Sequence, residues 1–271
     1  MISYPNAKVN LGLNITRKRD DGFHEIESVF YPVPWRDILE IVAEDKGQGQ
    51  VTFTSTGIDI PSNGQPNLCE KVYQLLHERY GLPSVKMHLH KIIPIGAGLG
   101  GGSADAAFAA KMLNDLFELG LADFELENIV AQVGSDCPFF IKNTAAFVTG
   151  RGEELEPFEL NLSGFWIALV NPNIHIGTKE AYAGINPTAS HISLKDLLLE
   201  PVASWKKEVK NDFEKHLFIK YPQLPEIKAR LYQHNAVYAA MTGSGSTVFG
   251  LFKEEPKELD FVGACIKVAQ L

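Results

Sequence analysis

Cysteine is scarce: the 271 residues hold three, Cys69, Cys137 and Cys265, far apart and without a CxxC pair. That excludes a disulfide framework and a zinc knuckle. Positive charge is in deficit as well. Against 33 Asp and Glu stand 25 Lys and Arg, a formal charge of −8. A broad nucleic-acid surface is therefore not expected, although a local basic pocket stays compatible with this balance. The opening MISYPNAKVNLGLNI lacks a basic stretch followed by an apolar one and does not read as a signal peptide. The uncharged run from His234 to Phe252 is interrupted by TGSGST and does not pass for a membrane helix. Long charge blocks, low-complexity tracts and internal repeats are missing, and a hydrophobic content of 45% argues against disorder. The expectation is a folded cytoplasmic protein that binds neither nucleic acid nor membrane, built as one large domain or two smaller ones.

What is present reads as two halves. Strand-like segments run from Ala7 to Thr16, Glu25 to Val33, Ile38 to Val42 and Val51 to Ser55, with turn-rich DKGQG and IPSNGQPN around the last. Leu68, Val72, Leu75 and Leu76 recur at helical spacing, predicting a helix over Asn67 to Tyr80 that Gly81 ends. Val85 to His90 alternates as a half-buried strand does, and further helices are expected from Ser103 and from Glu125 to Val133. The charged stretch Gly150 to Asn161 is the expected joint. Beyond it we expect strands at Phe165 to Val170, Ala236 to Met241 and Thr247 to Phe252. Helices are expected at Thr178 to Ala183, Leu194 to Leu199, Trp205 to His216 and Pro225 to His234. Mixed elements of this kind indicate an α/β or α+β protein with two lobes.

The first chemical signal is IPIGAGLGGGSADAA, in which five of the seven residues 96–102 are glycine. Gly96, Gly98 and Gly101 satisfy G-x-G-x-x-G, a weak pattern taken alone. The loop is not near the first strand, and Asp115 and Glu118 sit in a helical pattern, which argues against a dinucleotide fold. No GK[ST] follows, which excludes a P-loop. What survives is a glycine-lined helix N-terminus carrying Ser103, where backbone N–H groups and the helix dipole favour a polyphosphate. Glycines serving tight packing alone are the plainer reading. Asp136, in VGSDCPFF, follows a helix stop and precedes Cys137-Pro138, which should hold the chain extended. Its carboxylate among apolar neighbours needs a cationic partner, yet in isolation it reads as a cap or turn residue. Lys8 lies inside an apolar strand with Asn6 and Asn10 on its own face, although alone it could be a snorkelling surface lysine. His88 and His90 share a strand face without a third ligand at sensible spacing. Asp20 and Asp21 read as turn acids, and Gly243-Ser244-Gly245-Ser246 as either an anion loop or a hairpin turn.

An Asn-x-x-x-Asn-Leu start, the PxGAGLGGGSADAA loop, GSDCPFF and the late TGSGST loop, in that order, resemble the GHMP kinase superfamily. More narrowly, Ala7 to Leu11, Arg19 to His24 and Gly152 to Leu155 are similar to the kinases of a cytidine-diphosphate-linked methylerythritol. The motifs run from residue 6 to about 250. The resemblance implies an α+β, two-lobed fold: a ribosomal-protein-S5-like lobe over 1–155 and a ferredoxin-like lobe over 156–271. It implies phosphorylation of the 2-hydroxyl of that small substrate by ATP, with Mg²⁺ held mainly through phosphates, in a monomer or weak homodimer.

By the same resemblance Lys8 and Asp136 match the catalytic pair. Pro94, Ile95, Gly96, Ala97, Gly98, Leu99, Gly100, Gly101, Gly102, Ser103 and Ala104 match the ATP loop. Gly243, Ser244, Gly245 and Ser246 match a second glycine loop. Asn10, Phe23, His24 and Tyr182 match substrate positions, with Phe23 and Tyr182 expected on opposite lobes as walls around the base. Asn67 and Lys71 are placed near the nucleotide. Phe23 departs from the Tyr common in the family: stacking survives that change, a phenol hydrogen bond does not. The alternatives are a homoserine- or mevalonate-class kinase, which the DGFH element opposes, and a non-catalytic nucleotide- or sugar-binding relative, which Lys8 and Asp136 oppose.

Overall fold

The computed structural model describes residues 1–44, 49–61, 64–187 and 192–271. Most of the DKGQG turn and positions 62–63 of IPSNGQPN thus lie outside the described residues. The protein is α+β, and its chain forms two compact units that interleave in sequence. Met1–Ala7, Trp35–Ile95 and Gly100–Thr144 make the first, and Lys8–Pro34, Gly96–Leu99 and Ala145–Leu271 the second.

In the first unit a four-stranded sheet runs in the order Ile2–Ser3, Ile38–Ala43, Val85–Lys91, Val51–Gly57. Val51–Gly57 lies parallel to Val85–Lys91. A parallel pair needs a crossover, and helix Leu68–Tyr80 supplies it. Its ends follow from local chemistry. The Asn67 side chain accepts from Cys69 N–H while Glu70 reaches back to the Asn67 N–H, and Gly81 closes the helix at φ 67°. Helix Gly101–Leu116 packs against it. Ala104, Ala106, Ala107, Ala109 and Ala110 are all buried there, short side chains that let the backbone come close.

A buried ion triad fixes where that second helix sits. Lys91, closing its strand, is buried with Nζ 2.5 Å from Asp37 Oδ2 and 2.6 Å from Asp105 Oδ2. Asp37 Oδ1 also accepts the N–H groups of Ile92 and Ile93. Two carboxylates share one ammonium out of water. Burial pushes the Asp105 carboxyl up to about 7, with Lys91 opposing and Asp37 adding to the rise. Asp105 Oδ1, itself buried, has no hydrogen-bond partner among the described residues.

The second unit holds two sheets. One is antiparallel throughout, in the order Tyr238–Met241, Val248–Phe252, Trp166–Asn171, Cys265–Gln270. Helix Gln223–Gln233 covers it with Leu224, Ile227 and Leu231. The other runs Asn6–Lys18, His24–Arg36, Ala146–Thr149, Glu154–Pro157. The last of these strands lies inside the stretch expected to be a joint.

Three local expectations need correction. The helix expected over Trp205 to His216 is two, Trp205–Glu208 and Glu214–Lys220. Between them Lys210 O accepts Leu13 N–H, and Asp212 N–H donates to Leu13 O. The Asn211 amide donates to the carbonyls of Met241 and Gly243. Long-range hydrogen bonds outweigh helix propensity at that point. Cys137-Pro138 is not extended: Cys137 N–H donates to Gly134 O and Pro138, at φ −57°, leads into the single turn Phe139–Lys142. A missing N–H costs nothing at a helix start. Strands Ala146–Thr149 and Cys265–Gln270 were not expected.

Replacing Asp105 by Asn tests the triad. A raised acid pKa means that the folded state holds the proton more tightly than the unfolded chain. The stabilisation is complete below the ordinary value of 3.8 and is lost as pH rises through about 7. The wild-type Tm, measured against that of Asp105→Asn, should fall as pH is raised across this window. Parallel Tm–pH curves would remove the shifted acid from the account.

Candidate functional site

The glycine loop divides into positions with different duties. Gly96, Gly98 and Gly100 have φ of 63°, 76° and 68°, conformations that glycine adopts at little steric cost. Helix Gly101–Leu116 begins two residues before the expected Ser103, with Gly100 at its N-cap. No described side chain caps it, so first-turn amides are left for another acceptor. Gly102 is exposed, and a Cβ there would have Leu68 Cδ1 at 3.7 Å as its neighbour.

Gly101 differs. It is buried, and a Cβ would lie 2.9 Å from Ile93 Cγ2 and 3.1 Å from Lys91 Nζ. Packing against Ile93 and the ion triad thus demands glycine at this position, whatever its backbone N–H faces.

Within the second unit, Gly96–Leu99 meets the late glycine loop backbone to backbone. A Cβ on Gly98 would stand 2.1 Å from Thr242 O, and one on Gly243 3.0 Å from Gly98 Cα. Thr247 N–H donates to Ala97 O at 3.3 Å, and Lys8 N–H to Leu99 O at 2.9 Å. Gly243, Ser244, Gly245 and Ser246 therefore support the first loop. The Ser246 hydroxyl is buried and donates to Ile174 O at 2.6 Å.

Lys8 is 3% exposed, which removes the snorkelling alternative. Its Nζ donates to Asn10 Oδ1 at 2.7 Å and lies 3.9 Å from the centre of the Phe30 ring. Period-two alternation puts Asn10 on the same face. Asn10, expected at the substrate, is itself 2% exposed, with its amide engaged by Lys8, Ser28 and Thr242. Asp136 belongs to the first unit and is half-buried on the turn before Phe139–Lys142. Beside it, burial pushes the Cys137 thiol up to about 12, against a hydrogen bond with Ser103. At neutral pH that thiol stays protonated and is no nucleophile. Asn67 is spent as a helix cap, and Lys71 lies one turn further on.

Phe23 and Tyr182, expected on opposite lobes, both belong to the second unit, because strand His24–Arg36 pairs with Ala146–Thr149 there. Phe23 is 53% exposed, with the Arg151 guanidinium 4.9 Å from its ring centre. Asp21 Oδ1 accepts its N–H, the turn role expected of that acid. Tyr182 stacks on His24, centroids 4.8 Å apart and planes at 21°, and packs edge-to-face with Phe213 at a centroid separation of 4.9 Å. So His24 lies on the wall expected for a base. Burial, with Lys18 nearby, lowers the His24 pKa, leaving a neutral ring at pH 7 with one donor and one acceptor. Thr54 and Thr56 bond His88 and His90. Among the described residues no group of three or more His, Cys, Asp or Glu could hold a metal ion, and no helix is long and apolar enough to cross a membrane.

Sequence reasoning missed Lys91, Asp37, Asp105, Ser28, Thr242 and Arg151. Only the lysine in HLHKIIP had a local signal, a charge ending an alternating strand just before the loop.

Comparison with known proteins bears on these features. The description "GHMP kinases N terminal domain" matches residues 67–150 and "GHMP kinases C terminal" matches 193–264. A 4-diphosphocytidyl-2-C-methyl-D-erythritol kinase of Cytophaga hutchinsonii is 52% identical over 258 residues, covering 95% of this chain and 94% of its own. One from Bacteroides fragilis is 48% identical over 266 residues, 97% of each. The crystal structure of a 4-(cytidine 5'-diphospho)-2C-methyl-D-erythritol kinase superposes with a TM-score of 0.80 at 30% identity, covering 93% of this chain and 90% of its own. The Methanococcus jannaschii mevalonate kinase, at 15% identity and TM-score 0.73, covers 100% of this chain and 98% of its own, and shares the fold.

The exposed helix start generates a test. Gly102→Val adds a branched side chain beside the first-turn amides, at a position where a Cβ meets Leu68 Cδ1 at an ordinary 3.7 Å. Calorimetry should show ATP affinity reduced at least about tenfold, a loss of roughly 1.4 kcal/mol, at a Tm close to wild type. Unchanged affinity would leave this helix start without a ligand.

Proposed function

We propose a reaction from one premise: this chain belongs to the 4-diphosphocytidyl-2-C-methyl-D-erythritol kinase family of the GHMP kinases. It is an ATP-dependent kinase, and it transfers a phosphoryl group to the 2-hydroxyl of the cytidine-diphosphate-linked alcohol. The observation that carries the reading is the open N-terminus of helix Gly101–Leu116, entered through glycines at positive φ and left without a described side-chain cap. It works in the cytoplasm as a monomer or weak homodimer. In sequence, the S5-like lobe runs to residue 155 and the ferredoxin-like lobe, with the second glycine loop, from 156.

Phosphoryl transfer passes through a loose transition state, so positioning and charge stabilisation are the main tasks of the protein. First-turn amides, with the helix dipole behind them, hold the phosphates. Asp136 accepts the proton of the attacking hydroxyl. Lys8, fixed by Asn10 and Phe30, places a positive charge at that hydroxyl. The donors at the loop fit Mg²⁺ held through phosphate and water: Ser103 brings one hard hydroxyl oxygen. When bound, the ion neutralises phosphate charge.

Cytosine recognition divides between a face and an edge. Phe23 has an exposed ring, and stacking is worth about 1–3 kcal/mol for any base. Selection needs bonds to the edge, and His24, held flat on Tyr182, offers its ring nitrogens. Tyr182 thus acts on the base by way of His24.

Three expected outcomes follow from these roles. Asp136→Asn should lower turnover by roughly 10²–10⁴-fold with ATP binding retained, read by steady-state kinetics and calorimetry; more than about a third of wild-type turnover would take the base role from Asp136. The uridine-diphosphate analogue should be a poor substrate, because a site built for one edge leaves its own groups unpaired against another. Tyr182→Ala should raise KM for the cytidine substrate and spare KM for ATP. Equal kcat/KM for the two analogues would remove His24 from edge reading, and efficient phosphorylation of the free alcohol would move the chain to another substrate class.

A further inference from the structure

The ammonium of Lys8 depends on which end of the Asn10 amide faces it, and that choice is made elsewhere. Gly12, at φ 70°, turns its carbonyl toward the Ser28 hydroxyl, 2.7 Å away. A carbonyl only accepts, so Ser28 donates to it and has lone pairs left to offer. Asn10 Nδ2 donates to the Ser28 oxygen at 2.9 Å. That fixes the amide with Oδ1 toward Lys8, where it accepts from Nζ at 2.7 Å. The reverse orientation would set an NH₂ group against an ammonium, two donors in a space where both residues are almost wholly buried.

Thr242 holds the same amide from the other side. Its hydroxyl accepts the Asn10 N–H at 3.0 Å. The single hydroxyl proton has two acceptors in reach, Asn10 Oδ1 at 3.2 Å and Gly98 O at 3.0 Å. Given to Oδ1, that proton favours the same orientation; given to Gly98 O, it leaves the choice to Ser28. Every member of the chain, Gly12, Ser28, Asn10, Lys8, Thr242 and Gly98, belongs to the second unit. Ser28 and Thr242 are fully buried; among the described residues Ser28 bonds Gly12 and Asn10 and so reaches the reaction through Asn10, whereas Thr242 also bonds Gly98 of the glycine loop.

We infer that Ser28 is a positioning residue for Lys8, its hydroxyl deciding which end of the Asn10 amide meets the ammonium. The inference rests on the catalytic reading of Lys8. Cavity-filling or core stability would ask only for a small side chain at this place; the directed sequence of donors asks for a hydroxyl.

The test uses the full chain and separates kcat from KM. Ser28→Ala should lower kcat about 10- to 100-fold, the scale of a misplaced reacting group, with KM for ATP within about twofold. Ser28→Thr, which restores the hydroxyl, should recover most of kcat, a rescue that a merely structural role does not require. If Ser28→Ala does not fold, Ser28→Cys, close in size but only a weak donor and acceptor, is read in the same way with Ser28→Thr as its rescue. The inference falls if the hydroxyl-free variant keeps kcat within about twofold of wild type, if the loss is not rescued, or if KM for ATP rises as much as kcat falls. Lys8→Met separates the two failures. When it abolishes turnover while Ser28→Ala is silent, the positioning role alone is overturned; when it keeps wild-type turnover, the reading of Lys8 falls and this inference with it.

Discussion

Two strips of backbone meet without a side chain between them. Gly98 lies so close to the carbonyl of Thr242 that no Cβ could stand there, and a Cβ on Gly243 would be 3.0 Å from Gly98 Cα. Glycine costs about 0.5–1 kcal/mol of chain entropy relative to alanine in regular structure. A steric overlap of that depth costs more than such an entropy term, so the glycines are settled by packing before any phosphate arrives. From this contact the other arrangements follow. The Thr242 hydroxyl comes within reach of both Gly98 O and the Asn10 amide, and Lys8 N–H ties the strand to Leu99.

How much of this was readable from residues depended on sequence distance. The glycine loop, the lysine with asparagines two positions either side, and the capped helix Leu68–Tyr80 are local patterns, and each was legible. What the loop's individual glycines do was not. Positive φ at Gly96, backbone contact at Gly98, packing on Ile93 and Lys91 at Gly101, and an open face at Gly102 look alike on paper. The ion triad joins residues 37, 91 and 105, and the amide-orienting hydroxyl stands 18 positions from Asn10. No periodicity links such partners.

Misread elements had a common cause. Trp205 to His216 has the composition of one helix, yet residues between its two parts are drawn into hydrogen bonds with Leu13, Met241 and Gly243. Cys265–Gln270 is a sheet edge whose first five residues are all half-buried, so its pattern shows no clean alternation. His24 is expected among the substrate positions, but its stacking on Tyr182 is a contact across 158 positions that no local rule predicts.

The burial of two sulfur atoms reaches into how the protein can be handled. Cys69 lies in the core with its thiol pushed well up by burial, and Cys137 is held the same way beside Ser103. Thiolates are the species that alkylating reagents and peroxide attack, and these two supply almost none at neutral pH. Cys265, half-buried on an edge strand, is the remaining thiol. A maleimide dye added to the native protein should therefore label one place, far in sequence from Lys8, the glycine loop and Asp136, giving a fluorescent derivative without engineering the chain.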